Sequence, residues 1–110
     1  MKLWIDDVRP APGTLSDGWV WIQEVNAAKE YIAIMELGVE KGYNTIIELI
    51  DIDHDAGYYA NQGGDYIKLL DWLEETGRNY PIRIHSMNPV GVANMRAIIE
   101  RNGWTEVYNG

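Results

Sequence analysis

Three short polar clusters hold most of the residue types from which a reaction could be built. Asp6 and Asp7 stand side by side, Asp53, His54 and Asp55 form an unbroken triplet, and His85-Ser86 is closely followed by Asn88. Carboxylates brought together repel one another unless a cation neutralises them or their pKa values rise. Asp6, Asp7 and Asp53 are therefore a candidate site for one divalent ion, with Asp55 binding it directly or through a ligand. The chain has no Cys, which removes thiolate ligands, thiol catalysis and disulfides. Oxygen and imidazole donors remain, and they suit hard ions such as Mg²⁺ or Mn²⁺ best. His54 and His85 are the only histidines, and histidine is the side chain suited to moving protons near neutrality. Ser86, Asn88 and Arg9 add the donors and the positive charge that grip a phosphate. Singly, each of these residues has an ordinary role, as turn former, cap, structural histidine or solvated arginine. Their convergence on one place sets them apart.

The elements that must position them can be read from the apolar pattern. Residues 2–6 form a short apolar run that ends in acids, a buried strand delivering Asp6 and Asp7 at its carboxyl end. Residues 8–18 contain Pro10, Pro12, Gly13 and Gly18 and read as a loop. Residues 19–22 form a second strand. Asn26 is the expected N-cap of a helix with Ala28, Tyr31, Ile32 and Met35 at helical spacing, closing at Gly38 or Gly42. A third strand over 47–53 again ends in acids and leads into a Gly-rich loop at 54–64. From Asp65 a second helix turns Tyr66, Leu69, Leu70 and Leu73 inward and Asp71, Glu74 and Glu75 to solvent, and stops at Gly77. Residues 81–86 make a fourth strand, and Asn88-Pro89 opens a last helix with Val92, Met95 and Ile99 on its buried face. Residues 105–108 offer a short fifth strand. Trp4, Trp19, Trp21 and Trp72 are expected in the core, and Asp51 on the open side of the sheet.

Strands alternating with helices imply right-handed crossovers and a parallel sheet, hence a small α/β sandwich. One crossover lacks its helix, because the 8–18 loop replaces it. The alternation Ile82, Arg83, Ile84, His85 is unusual for a strand covered on both faces, so part of one face is expected to be open. Ligands in such sheets bind beyond the carboxyl ends of the strands. Both histidines and four of the acids fall there.

The balance of the chain excludes several classes of function. Its 110 residues leave room for one domain, 1–110, and one core. Hydrophobic residues at 46% and charged residues at 24% describe a chain that folds alone. A net charge of −8 repels polyanions and argues against bulk nucleic-acid binding. The opening apolar run is cut off at Asp6, too short for a signal peptide, and no stretch is long enough to span a bilayer. A soluble, cytoplasmic protein without membrane contact is expected.

The segments WIDDVRP (4–10), DGWVW (17–21), DHD (53–55), DWLEETGRN (71–79) and IRIHSMNPVGVANM (82–95) resemble the cyclic-phosphate-processing receiver family. That family is a prokaryotic and phage offshoot of the response-regulator receiver fold. The resemblance runs in order over most of the chain. It implies a receiver-like, flavodoxin-like three-layer sandwich with a mainly parallel sheet of four to five strands, the first crossover helix being a loop. It also implies that Asp6 and Asp7 match the receiver acidic pair, Asp53 the phosphoacceptor position and Ser86 the Ser/Thr position after the fourth strand. In receivers the three carboxylates hold Mg²⁺. Two departures stand out. No Lys lies in residues 105–110, where receivers carry one, and His54, Asp55, His85 and Asn88 are additions that a phosphorylation switch does not need. The loop at 57–64 is also longer than in close relatives and borders the pocket mouth.

These residues suit a metal-dependent phosphoesterase acting on a cyclic phosphate, either a nucleotide or a 2′,3′-cyclic RNA end. Such a reaction needs charge neutralisation at phosphorus, a base for water and an acid for the leaving alkoxide. Asp53, His54 and His85 are the catalytic candidates, Arg9, Ser86 and Asn88 the substrate-binding ones, and Asp6, Asp7, Asp53 and Asp55 the metal-binding ones. The spacing leaves open which histidine is acid and which is base. The alternative is a non-catalytic receiver-like module that binds a phosphate-bearing ligand or a protein partner. A weaker reading takes Asp51-Ile52-Asp53 as the nucleophile motif of haloacid-dehalogenase-like phosphatases, although the chain is too short for their remaining motifs.

Overall fold

A computed structural model describes residues 1–43 and 46–108. The elements run β1 (Lys2–Ile5), β2 (Trp19–Ile22), α1 (Val25–Glu40), β3 (Leu49–Ile52), α2 (Ile67–Glu75), β4 (Ile82–Ile84) and α3 (Pro89–Asn102), with short 3₁₀ turns at Leu15–Asp17 and Gly57–Asn61. The strands form one parallel sheet in the order β2-β1-β3-β4. This is the receiver-like α/β arrangement, with the reversal of strand order at β1 that makes a ligand crevice at its carboxyl end.

Right-handed crossovers decide where the layers lie. The connection from β1 to β2 moves one way across the sheet, and the later connections move the other way. The three helices therefore share one face, while the 6–18 segment covers the other. On the helical face Leu3, Ile5, Ile50, Ile52 and Ile82 are buried with Ala28, Ile32, Leu69, Leu70, Leu73, Met95 and Ile99. Each of the Leu, Ile and Met side chains among them contributes about 1.5–3 kcal/mol by leaving water, which ties the helical layer to the sheet.

The opposite face carries Trp4, Trp19, Trp21, Asp51 and Arg83. This corrects the expectation that the tryptophans are core. Trp21 is 41% exposed and Trp4 packs edge-on against Trp19, whereas Trp104 is the tryptophan that reaches the core. Trp72 packs on the core margin under the Arg78 guanidinium. Trp4 also ties the loop down by donating from Nε1 to the Arg9 carbonyl at 2.8 Å.

Several boundaries differ from the sequence reading. Helix α1 starts at Val25 with Glu24 at the N-cap position, not after Asn26. Val25 is buried, and the Asn26 amide donates to the Gln62 carbonyl, so a neighbouring loop replaces the side-chain cap. The helix runs through Gly38, and Gly42 follows its end with a positive φ. Helix α2 starts at Ile67, because the Asp65 carboxylate is used to accept the Ala56 amide at 3.0 Å. Glu74 is not simply solvated: it binds Arg101 at 2.8 Å and Asn102, and so ties α2 to α3. The fifth strand reduces to a single bridge between Ile82 and Glu106. Asn88 and Pro89 open α3 as expected, the Asn88 carboxamide oxygen accepting the Gly91 amide at 3.0 Å. Among the described residues no helix is long and apolar enough to cross a membrane.

Candidate metal and phosphate site

Strand register brings the site together. Ile5 pairs with Ile52, and Ile52 with Ile84. The next residue on each strand is Asp6, Asp53 and His85, so these three stand in one lateral row just beyond the sheet. Backbone bonds continue the pairing, from the Asp53 amide to the Ile5 carbonyl at 2.9 Å and from the His85 amide to the Ile52 carbonyl at 2.9 Å. Asp6, Asp53 and His85 each present one ligating atom, all within 4.8 Å of one another. Two carboxylates and an imidazole fit Mn²⁺ well and Mg²⁺ through the oxygens.

A second row lies two residues back on the same face. Trp4 pairs with Asp51, and Asp51 with Arg83. Asp51 is 2% exposed and is held between two cations or potential cations. It accepts from Arg83 Nε at 2.8 Å and faces His85 Nδ1 at 2.7 Å. The other ring nitrogen, Nε2, lies 2.9 Å from Asp6 Oδ2. Trp4 stacks on the imidazole with centroids 3.8 Å apart and planes 2° from parallel. His85 is thereby fixed in position and rotation, and its Nε2 is aimed at the acidic row.

The 6–18 loop wraps the Asp6 carboxylate. Asp6 Oδ1 accepts the amides of Val8 at 3.0 Å and Arg9 at 2.8 Å. Burial alone would raise this carboxyl, but those amides and the His85 ring outweigh it and hold it below the ordinary value. Asp7 goes the other way. Burial pushes its carboxyl up, its own amide pulls back only in part, and the charges of Asp6 and Asp53 raise it further. The buried Tyr66 hydroxyl is raised by burial and by the same three acids, and remains a phenol donating to the Gln23 carbonyl at 2.7 Å. Burial leads both shifts, and the charge of the neighbouring acids adds to it, a contribution that a bound divalent cation would relieve. Gly57 allows this closeness, because a Cβ there would overlap the Asp7 carboxylate.

Next to the row stands a second Asp–His pair. His54 Nδ1 lies 2.8 Å from Asp55 Oδ1, and Asn88 Nδ2 approaches the same nitrogen at 3.5 Å. The ring lies against Gly91 in the first turn of α3, where a Cβ would collide with it. His54 is thus oriented by Asp55, with Nε2 as its other nitrogen.

The sequence model of the cyclic-phosphate processing receiver domain matches residues 1–101. The chain belongs to that family. No curated protein and no solved structure matches it. Within this cyclic-phosphate processing receiver domain, the expected site residues separate into groups. Asp6, Asp53 and His85 come together as potential ligands, with Asp7 beside them electrostatically. Asp55 lies 65% exposed against His54, outside that set. Ser86 and Asn88 shape the start of α3: Ser86 Oγ accepts the Asn88 amide at 3.1 Å, and Asn88 caps the helix. Arg9 lies at the mouth, its side chain half exposed and Nε 3.6 Å from Asp6 Oδ2. The spacing in the sequence groups His85 with the catalytic candidates, whereas the structure sets it among the potential ligands, supported by Trp4, Asp51 and Arg83. The one available signal was the placing of Arg83 and His85 two residues apart on a strand, which marks a polar face.

Proposed function

We propose that this receiver domain is a metal-dependent phosphoesterase that opens cyclic phosphates on a nucleotide or an RNA 2′,3′-end, in a cytoplasmic setting. The observation that carries this reading is the row of Asp6, Asp53 and His85 within ligating range, next to an Asp-oriented histidine, in a chain of the cyclic-phosphate processing family. Asp6, Asp53 and His85 would hold the ion, with Asp7 alongside. When bound, Mg²⁺ or Mn²⁺ supplies neutralisation of the phosphoryl oxygens.

The remaining work falls to the side chains. Asp51, Arg83 and Trp4 keep His85 in place. His54, held at Nδ1 by Asp55, takes a proton from the attacking water at Nε2 and returns it to the leaving alkoxide. One ring P–O bond breaks, one water-derived P–O bond forms, and a phosphate monoester results. Arg9 binds the phosphate from the mouth, and the start of α3, shaped by Ser86 and Asn88, turns its positive end toward the anion.

The test is a screen of 2′,3′-cyclic and 3′,5′-cyclic nucleotides with Mg²⁺ and Mn²⁺. His54→Ala removes the acid–base group and should lower the rate by about 10²- to 10⁴-fold, and His85→Ala, which removes a potential ligand, should lower metal affinity and turnover with it. The alternative, a module that binds a phosphate-bearing ligand or protein without turnover, draws on the engagement of both His85 nitrogens by Asp51 and Asp6. It predicts stoichiometric ligand binding and no product.

A further inference from the structure

We infer that the cleft along the free edge of β2 is a nucleobase subsite, so that the cyclic phosphate processed at the acidic row belongs to a nucleoside carrying amino-group donors, guanine above all. The inference rests on the cyclic-phosphate reading of that row and adds to it the rest of the substrate.

The cleft has a volume of about 400 Å³ and is lined by Trp21, Gln23, Glu24, Tyr31 and Tyr59 among others. β2 is the edge strand of the sheet, so among the described residues no further strand closes this side. Two hydrogen bonds connect the cleft wall to the site itself. Trp21 Nε1 donates to the Asp6 carbonyl at 2.7 Å, and Gln23 Nε2 donates to the Asp7 carbonyl at 3.1 Å. The 3₁₀ turn Gly57–Asn61 spans both places, with Gly57 against the Asp7 carboxylate and Tyr59 in the cleft wall. A phosphate held at the acids would have its sugar and base running toward this wall, on the strand next to β1, and neighbouring strands lie about 4.8 Å apart.

The chemistry of the wall suits a base. Trp21 and Tyr59 offer aromatic faces on which any base can stack. Trp21 is 41% exposed although its indole N–H is already satisfied, so the ring surface is what it presents. Glu24 supplies direction. It occupies the N-cap position of α1 yet makes no side-chain cap bond, and a carboxylate accepts hydrogen bonds only. Guanine offers its ring N–H and amino group side by side to such an acceptor, adenine and cytosine offer an amino group, and uracil sets carbonyls on either side of its N–H. The net charge of −8 fits a mononucleoside cyclic phosphate better than a polynucleotide.

The experiment compares guanosine 2′,3′-cyclic phosphate, uridine 2′,3′-cyclic phosphate and base-free glycerol 1,2-cyclic phosphate as substrates of the full chain with Mn²⁺. Calorimetric binding of guanosine 5′-monophosphate and glycerol phosphate runs in parallel. The expected order of kcat/KM is guanosine, then uridine, then glycerol. Tyr59→Leu, which keeps apolar bulk, should raise KM for the guanosine substrate by about 5- to 100-fold, the range set by losing one base–aromatic stack. Glu24→Gln should narrow the gap between guanosine and uridine. Equal KM for the guanosine and glycerol substrates, or a Tyr59→Leu KM within twofold of wild type, would overturn the subsite. If no cyclic phosphate is turned over, the phosphoesterase reading fails on its own and the calorimetry decides the subsite. Guanosine monophosphate binding that weakens in Tyr59→Leu, with no glycerol phosphate binding, supports it, and equal or absent binding of both overturns it.

Discussion

Replacing Asp51 by Asn tests whether the buried network behind the acidic row holds His85 as described. Asp51 accepts from Arg83 Nε at 2.8 Å and faces His85 Nδ1 at 2.7 Å while 2% exposed. Hydrogen bonds to a charged group contribute about 1.5–3 kcal/mol each. An asparagine keeps the shape but has one acceptor and one donor end. Its amide nitrogen must then face either the Arg83 or the His85 N–H, so one bond is lost and a buried donor is left badly placed. The expected loss is about 2–4 kcal/mol. With unfolding entropy near 2.1 cal/mol/K per residue, this lowers the unfolding midpoint by about 9–17 °C. Asp51→Ala, which removes both bonds and leaves a gap, should cost about 3–5 kcal/mol. Urea unfolding at pH 7 of Asp51→Asn, His85→Ala and the double variant closes a cycle whose coupling should exceed 1 kcal/mol. A loss below about 0.5 kcal/mol for Asp51→Asn, or additivity within that margin, would show that Asp51 does not hold His85 in place.

Three further outcomes follow from the same geometry. Gly91→Ala places a Cβ in the first turn of α3 that would push the His54 ring off Asp55; turnover should fall at least tenfold while the protein stays folded, and unmoved His54 imidazole resonances would contradict this. Asp7, whose carboxyl is raised above the unfolded value by burial and by Asp6 and Asp53, costs stability when ionised, so Asp7→Asn should stabilise the metal-free protein at pH 7. That advantage should vanish as the pH falls below the ordinary Asp range, where the carboxyl is protonated in both states, as denaturant midpoints at pH 7 and pH 3 will show. Burial would raise Glu36, but hydrogen bonds from Arg78 and Tyr80 outweigh it and hold the carboxyl low; its stabilisation is present above the ordinary Glu range and lost as pH falls through the lowered value, so Glu36→Gln should flatten the acid limb of the stability curve.

Much of the frame was legible because each strand is an apolar run ended by polar residues, and because Asn88-Pro89 and Gly77 punctuate helices in the usual way. Which face each residue takes was harder to read. In β1 both Leu3 and Trp4 are apolar, so alternation alone does not say which one meets the helices. The same ambiguity hides that the tryptophans of β1 and β2 lie on the face away from the helices and that Trp4 stacks on His85. Lateral register was equally hidden. The DHD triplet puts Asp55 beside Asp53 in sequence, yet Asp53 continues the sheet row while Asp55 turns away to His54. His85 enters the row from another strand altogether. Helix starts at Val25 and Ile67 depend on loop partners, Gln62 and Ala56, that no local pattern reveals.

On the proposed function, Asp6, Asp53 and His85 would hold a divalent ion that neutralises the phosphoryl oxygens while water opens the cyclic phosphate. Phosphorus NMR of guanosine 2′,3′-cyclic phosphate incubated with the protein in ¹⁸O-enriched water tests it most directly. The expected product is a monoester carrying one ¹⁸O on phosphorus, formed with Mn²⁺ or Mg²⁺, abolished by a chelator and lost in Asp53→Asn. Turnover that persists in excess chelator, or that Asp53→Asn leaves unchanged, would contradict it.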